Sequence, residues 1–173
     1  CAELAPLLPA ECVVSDVGST KQSALAAFAQ YLPDAWPRCV AAHPIAGTER
    51  SGAAAAQVGL FTGKRLIICP HERQDAAALA RVAALWQAVG ARVEHMDAVA
   101  HDAAFAAVSH LPQLLAYAYM RQMTHAEESE EWLRLAGSGF SDFSRLAASE
   151  PAMWADIALA NRDNLLALLD GQQ

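Results

Sequence analysis

The chain has 173 residues, 54% of them hydrophobic and 18% charged, with a formal net charge of −7. That balance suits one domain or two small ones with a real core and excludes a disordered chain. The 12 Lys and Arg are scattered, so no basic stripe marks a nucleic-acid partner, and Arg, Asp, Glu, His or Gln interrupts every apolar run before it reaches membrane-spanning length.

Leu4, Leu7 and Leu8 share helical spacing and read as the tail of a helix. Cys12 to Val17 is a short apolar run expected to form a buried strand, and Gly18-Ser19-Thr20-Lys21 turns it into a helix reaching about Leu32, where Pro33 stops further turns. The start of that helix offers backbone N–H groups and a positive dipole end beside Ser19, suited to an anion or a polar ring, and Gly18 lets a flat group come close to the backbone. A phosphate-binding P-loop is not the reading, because the earlier glycine and the Gly-Lys-Ser/Thr order are both missing.

The next apolar run, Cys39 to Ala42, breaks at His43-Pro44. Proline cannot donate to a sheet ladder, so His43 is expected where a strand hands over to a loop, the edge at which open α/β sheets bind ligands. Ala53 to Val58 suggests a short helical turn, Lys64 to Pro70 a strand, Gln74 to Val89 an amphipathic helix closed by Gly90, and Arg92 to Met96 a last strand. Strand, helix, strand, helix, strand is the rhythm of a parallel sheet.

The rhythm then changes. From Asp97, an expected N-cap, to about Met123 the period is helical throughout, with Pro112 predicting a kink by freeing the carbonyl of Val108. Glu127 to Glu131 opens another helix at its favourable end, a Gly137-Ser138-Gly139-Phe140 turn leads into a helix over 141–148, and Pro151 starts a final helix to about Leu169. The fold class is therefore α/β followed by all-α, with a boundary near residue 96: domains 1–96 and 97–173.

Four places on this scaffold carry side chains suited to chemistry. Ser19 stands at a helix start after a strand, and His43 ends the next strand with an imidazole able to take a proton near neutral pH. Ser109, His110 and Gln113 share a face of the long helix. Arg145 follows the glycine-containing turn beside Asp142, a natural carboxylate clamp. Taken singly, each also reads as a cap, a core histidine or a surface ion pair. The four cysteines, at 1, 12, 39 and 69, have no metal-ligand spacing and read as reduced thiols of a cytoplasmic protein, with no metal expected.

Taken together, Asp16-Val17-Gly18-Ser19-Thr20-Lys21, His43 to Gly52, His101-Asp102 with Ser109-His110-Leu111-Pro112, and Gly139 to Arg145 with Pro151 to Trp154 resemble the prephenate and arogenate dehydrogenases of tyrosine biosynthesis. The resemblance implies the later part of a Rossmann-like domain (1–96) followed by a helical substrate and dimerisation domain (97–173) that forms a homodimer. It implies NAD(P)-dependent oxidative decarboxylation of prephenate or arogenate, with His43 drawing the proton from the ring hydroxyl as hydride leaves. Ser19 then holds the hydroxyl and the nicotinamide edge, Asp16 and Gly18 belong to the cofactor side, and Arg145 clamps the side-chain carboxylate. Thr48 and Glu49 line the mouth of the pocket, and Ser109 and His110 form its helical wall. Gln113 stands where prephenate-preferring members often carry a histidine, which implies arogenate or dual use. The glycine-rich turn and the residue that separates NAD from NADP are expected before Cys1, so the chain alone is expected to be inactive. A catalytically silent dimerising or ligand-sensing module of the same fold is the alternative. A related hydroxyacid dehydrogenase would need a catalytic lysine on the long helix, and residues 97–123 contain none.

Overall fold

The computed structural model describes residues 1–47 and 52–171. It divides into two compact units, one of residues 1–47 and 56–103, the other chiefly of the residues from Ala104 onward.

The first unit is built on a four-stranded sheet in the order β1 (Val14–Ser15), β2 (Cys39–Pro44), β3 (Arg65–Cys69), β4 (Arg92–His95). β1 runs parallel to β2 and β3 parallel to β4, as the strand–helix alternation predicts. β2 and β3 are antiparallel, with Ala42 opposite Ile68 and His43 opposite Ile67. A parallel crossover ordinarily uses a helix; between β2 and β3 the described residues offer one 3-10 turn, Ala53–Ala55.

Apolar burial explains why these runs are strands. Cys39, Val40, Ala41, Ala42, Leu66 and Ile68 are all inaccessible to solvent, and Val40, Ala42, Leu66 and Ile68 pack with Ala78, Val82 and Ala91. Ala78 and Val82 come from α2 (Ala76–Ala88), whose N-cap Asp75 accepts from Ala78 N at 2.7 Å. Gly90 closes it at φ +88°, and a Cβ there would lie 3.1 Å from Thr62 Cα, so this end needs glycine twice over. The expected helix over residues 2–9 is a single 3-10 turn, Ala5–Leu7, because Pro6 and Pro9 each withhold a backbone donor and Leu7 finds no core.

All four cysteines are free thiols. Burial pushes Cys39 up to about 11 and Cys69 up to about 12, and a thiol that stays protonated is a poor nucleophile. Iodoacetamide at neutral pH should therefore modify exposed Cys1 in the native protein and reach Cys39 and Cys69 only after unfolding; mass spectrometry of tryptic peptides checks this.

The predicted long helix begins as expected, with Asp97 Oδ1 accepting from Val99 N at 2.9 Å and Ala100 N at 3.0 Å. It is not continuous: α3 (Ala98–Phe105) passes through a π-helical turn, Ala106–His110, into α4 (Leu111–His125). Pro112 sits in the first turn of α4, and the wider π turn ahead of it takes up the mismatch that a kink was expected to take. The compact division also leaves His101 and Asp102 with the sheet.

The second unit continues with α5 (Ser129–Arg134), α6 (Ser138–Leu146), α7 (Pro151–Ala160) and α8 (Arg162–Asp170) around Ala106, Leu111 and Leu165. Two expectations change. Gly139 and Phe140 lie inside α6 rather than in a turn before it, because Phe140 and Phe143 both pack on Tyr119, and that spacing requires a helix. The single final helix is two, broken at Asn161, whose buried side chain turns to His110 at 3.0 Å. No helix among the described residues is long and apolar enough to cross a membrane.

Candidate active site

β1 stops after two residues because a side chain takes over from the ladder: Asp16 Oδ1 accepts from Ala42 N of β2 at 2.9 Å. Asp16 Oδ2 accepts from Gly18 N at 2.9 Å and from Lys21 Nζ. Lys21 Nζ also donates to Ala42 O at 2.6 Å. A carboxylate and an ammonium thus lock the β1 turn onto the end of β2, one residue before His43. Lys21 is completely buried; burial pulls its ammonium below the usual lysine range, against the Asp16 charge and hydrogen bond that hold it up. The space Gly18 leaves belongs to Asp16, since a Cβ there would lie 3.1 Å from Asp16 Oδ2.

α1 (Gln22–Tyr31) has no side-chain cap of its own. Asp102 supplies one from α3. Its Oδ1 accepts from Lys21 N at 2.7 Å, and its Oδ2 from Gln22 N at 3.0 Å and Gln22 Nε2 at 3.2 Å. The positive end of α1, expected to receive a ligand, is therefore already filled by a carboxylate of the protein.

Asp102 does a second thing. Its Oδ1 also accepts from His101 Nδ1 at 2.8 Å, and His101 Nε2 lies 2.9 Å from His43 Nδ1. The two imidazoles meet edge to face, centroids 5.1 Å apart. All three side chains are buried, His43 the least so at 9% exposure. Burial alone would raise the Asp102 carboxyl, but the bonds from His101, Lys21 and Gln22 outweigh it and hold the group below the usual carboxylate range. The result is an anchored anion, a bridging imidazole and a second imidazole at the end of β2: the arrangement that orients a histidine base and stabilises its protonated form.

The predicted residues fall as follows. Asp16, Gly18 and His43 belong to this connected cluster. Ser19, half-buried between β1 and α1, has no hydrogen-bond partner for its hydroxyl among the described residues. In the second unit, Ser109 is half-buried in the π turn. His110 is buried, with Nδ1 facing Asn161 Nδ2 and its ring edge-on to Trp154. Gln113 is also buried and donates to Leu146 O at 2.7 Å, so its amide ties α4 to the end of α6. Arg145 is exposed in the last turn of α6, and no ion pair joins it to Asp142 among the described residues. Thr48 and Glu49 lie outside the described residues.

Three participants had no assigned role in the sequence reading: Lys21, His101 and Asp102. The signal was present, since His101-Asp102 is a polar pair inside an Ala-, Val- and Phe-rich helical stretch, where a charge must be matched to be buried.

A sequence model described as "Prephenate dehydrogenase, nucleotide-binding domain" matches residues 1–95, and one described as "Prephenate dehydrogenase, dimerization domain" matches residues 97–172. The chain belongs to the prephenate dehydrogenase family. Among its relatives, the cyclohexadienyl dehydrogenase of Zymomonas mobilis is 36% identical over 171 residues, which are 98% of this chain and 58% of that protein. The prephenate dehydrogenase of Bacillus subtilis is 36% identical over 161 residues, 92% of this chain and 43% of the relative. Among solved structures, prephenate dehydrogenase from Aquifex aeolicus in complex with hydroxyphenyl propionate and NAD+ superposes with a TM-score of 0.87 at 35% identity, over 98% of this chain and 59% of that one. Synechocystis arogenate dehydrogenase gives 0.77 at 28% identity, over 99% and 61%. The chain thus spans roughly half the length of these family members. Within the family match, His43 falls in the nucleotide-binding part, and His101, Asp102, Ser109, His110, Gln113 and Arg145 fall in the dimerization part.

Proposed function

We propose that this chain is part of a cytoplasmic, homodimeric dehydrogenase that oxidatively decarboxylates prephenate, arogenate or both, using NAD or NADP. The observation that carries this reading is the chain from Asp102 through His101 to His43, which builds a supported base in a family whose members are named for that chemistry.

His43 would accept the proton of the ring hydroxyl as the carbon bearing that hydroxyl loses hydride. The bond to the ring carboxylate then breaks, carbon dioxide leaves, and the electron pair completes an aromatic ring. NAD(P)+, when bound, supplies the hydride acceptor. The phosphates of a dinucleotide do not fit at α1, whose positive end holds Asp102. The nicotinamide edge fits beside the uncommitted hydroxyl of Ser19, with Asp16 and Gly18 shaping the turn that presents it. A glycine-rich phosphate site would come from sequence outside this chain. Arg145 would hold the side-chain carboxylate of the substrate as a planar two-donor clamp. Ser109 and His110 would contribute the helical wall and Gln113, through its tie to Leu146, the wall's rigidity, with Thr48 and Glu49 at the mouth. Residues 1–96 would serve the nucleotide and 97–173 the substrate and the dimer. Exposed apolar side chains on the last helices, Met153, Leu159 and Leu169 among them, support a covered helical face, and four free thiols support a reducing compartment.

The test is direct. The full-length protein, given prephenate or arogenate with NAD+ or NADP+, should produce reduced nicotinamide, followed by its absorbance, and the matching aromatic product. Silence with all four pairings would overturn the reading.

A further inference from the structure

We infer that His101 is a positioning residue that fixes His43 in the tautomer carrying its proton on Nδ1, leaving Nε2 as the basic nitrogen. The inference rests on the function proposed above and deepens it by naming the atom that takes the proton and the residue that selects it.

The argument runs outward from the buried anion. Asp102 receives backbone donors from Lys21 and Gln22 and stays ionised, so it can only accept. The facing atom, His101 Nδ1 at 2.8 Å, must therefore carry a hydrogen. In a neutral imidazole the other nitrogen is then an acceptor, so His101 Nε2 takes a hydrogen from His43 Nδ1 at 2.9 Å. By the same rule the lone pair of neutral His43 lies on Nε2. His101 is fully buried, so neutral is the state that costs it least desolvation, and it cannot swap partners with water. When His43 Nε2 accepts the hydroxyl proton, its ring becomes a cation whose Nδ1–H already points along a chain ending in a carboxylate. The substrate loses its hydroxyl proton to His43 Nε2, and its hydride would go to NAD(P)+, the oxidant of the proposed function.

The chain runs from β2 into α3 and back to the start of α1, so it also answers why a helix cap should come from so far along the sequence: the same carboxylate that caps α1 sets the tautomer two residues away in space. Among the described residues, the other titratable groups coupled to this cluster are Asp16 and Lys21 from the β1–α1 connection, Cys69 at the end of β3 and Asp97 ahead of α3. None is altered in His101→Phe or His101→Gln.

Two measurements on the full-length protein decide the matter. Nitrogen-15 imidazole spectra, taken where His43 is neutral, should show protonated Nδ1 and unprotonated Nε2; the reverse tautomer would overturn the inference whether or not the protein turns over either substrate. In kinetics, His101→Phe keeps the ring and removes both hydrogen bonds. It should lower kcat about 100-fold with KM within a few-fold, and move the acidic limb of the pH profile to lower pH, because protonated His43 loses its support. His101→Gln places an amide oxygen within reach of His43 Nδ1 and should recover part of both effects. A kcat loss in His101→Phe with an unmoved acidic limb would reduce His101 to a packing role. Should His101→Phe not fold, the wild-type spectra and His101→Gln still decide. Absence of activity in the wild type, with the expected tautomer present, would count against the proposed function and leave the tautomer assignment standing.

Discussion

His43→Asn in the full-length protein should lower kcat by about 10²- to 10⁴-fold, the usual worth of a positioned general base, while substrate KM changes by no more than a few-fold. At about 1.4 kcal/mol per decade, that is roughly 3 to 6 kcal/mol of transition-state stabilisation. The loss should fall on kcat because a base acts while the hydroxyl proton is departing, and its interaction with the intact hydroxyl is only one hydrogen bond among several holding the substrate. Asparagine keeps a polar group at this position but has no nitrogen that protonates near neutral pH. The fold should tolerate the change: His43 is held in β2 by its backbone pairing with Ile67, flanked by the Pro44–Leu66 and Ala42–Ile68 pairs, and none of these uses the imidazole. Circular dichroism and thermal denaturation should therefore give a native profile beside the kinetic loss. Steady-state turnover measured with saturating cofactor decides it, and a kcat equal to wild type would remove His43 from the chemistry.

Much of this site is visible in the residues before any coordinates, and what is not visible fails for identifiable reasons. Strand β2 declares itself through Cys39 to Ala42, and Pro44 marks its end, because strand burial and proline chemistry are local properties. The cap at Asp75 and the closure at Gly90 are equally local. The antiparallel pairing of β2 with β3 is not local, since either strand direction buries the same apolar faces. Helix α6 starts at Ser138, ahead of two residues that read as a turn, because packing of Phe140 and Phe143 on Tyr119 overrides the preference of Gly139. Asn161 breaks the last helix to satisfy His110, a partner 51 positions away. The same holds for the positive end of α1. The backbone donors beside Ser19 are legible as an anion site; that the anion is Asp102, 81 positions from Lys21, becomes legible only when the chain is folded. Long-range polar pairing is thus the part that spacing rules miss, and in this protein it is also what ties His43 to His101 and Asp102.

The largest stability effect should come from the other buried charge pair, and it should be asymmetric. Asp16→Asn leaves Lys21, completely buried, with Ala42 O and without its bonded counter-charge, only the weaker influence of Asp102 remaining. Removing one partner of a buried pair costs about 3–5 kcal/mol, so urea denaturation at neutral pH should show a drop of that order in the free energy of unfolding. Lys21→Met removes the charge that is expensive to bury and leaves Asp16 partly exposed, with its bonds from Ala42 N and Gly18 N intact; it should cost distinctly less. The pH dependence separates an electrostatic cause from a packing one. Burial already lowers the Lys21 ammonium from the usual lysine value, and loss of Asp16, the main group opposing that shift, lowers it further. A lysine whose folded value lies below its unfolded value destabilises the fold increasingly as pH falls from that unfolded value, about 10.5, to the folded one, because the unfolded chain takes up the proton first. The deficit of Asp16→Asn relative to wild type should therefore be greatest at neutral pH and shrink as pH rises toward the unfolded lysine value. A deficit constant across that range would mean that Asp16 acts through its backbone hydrogen bonds alone, and that the charge on Lys21 contributes nothing to holding His43 in place.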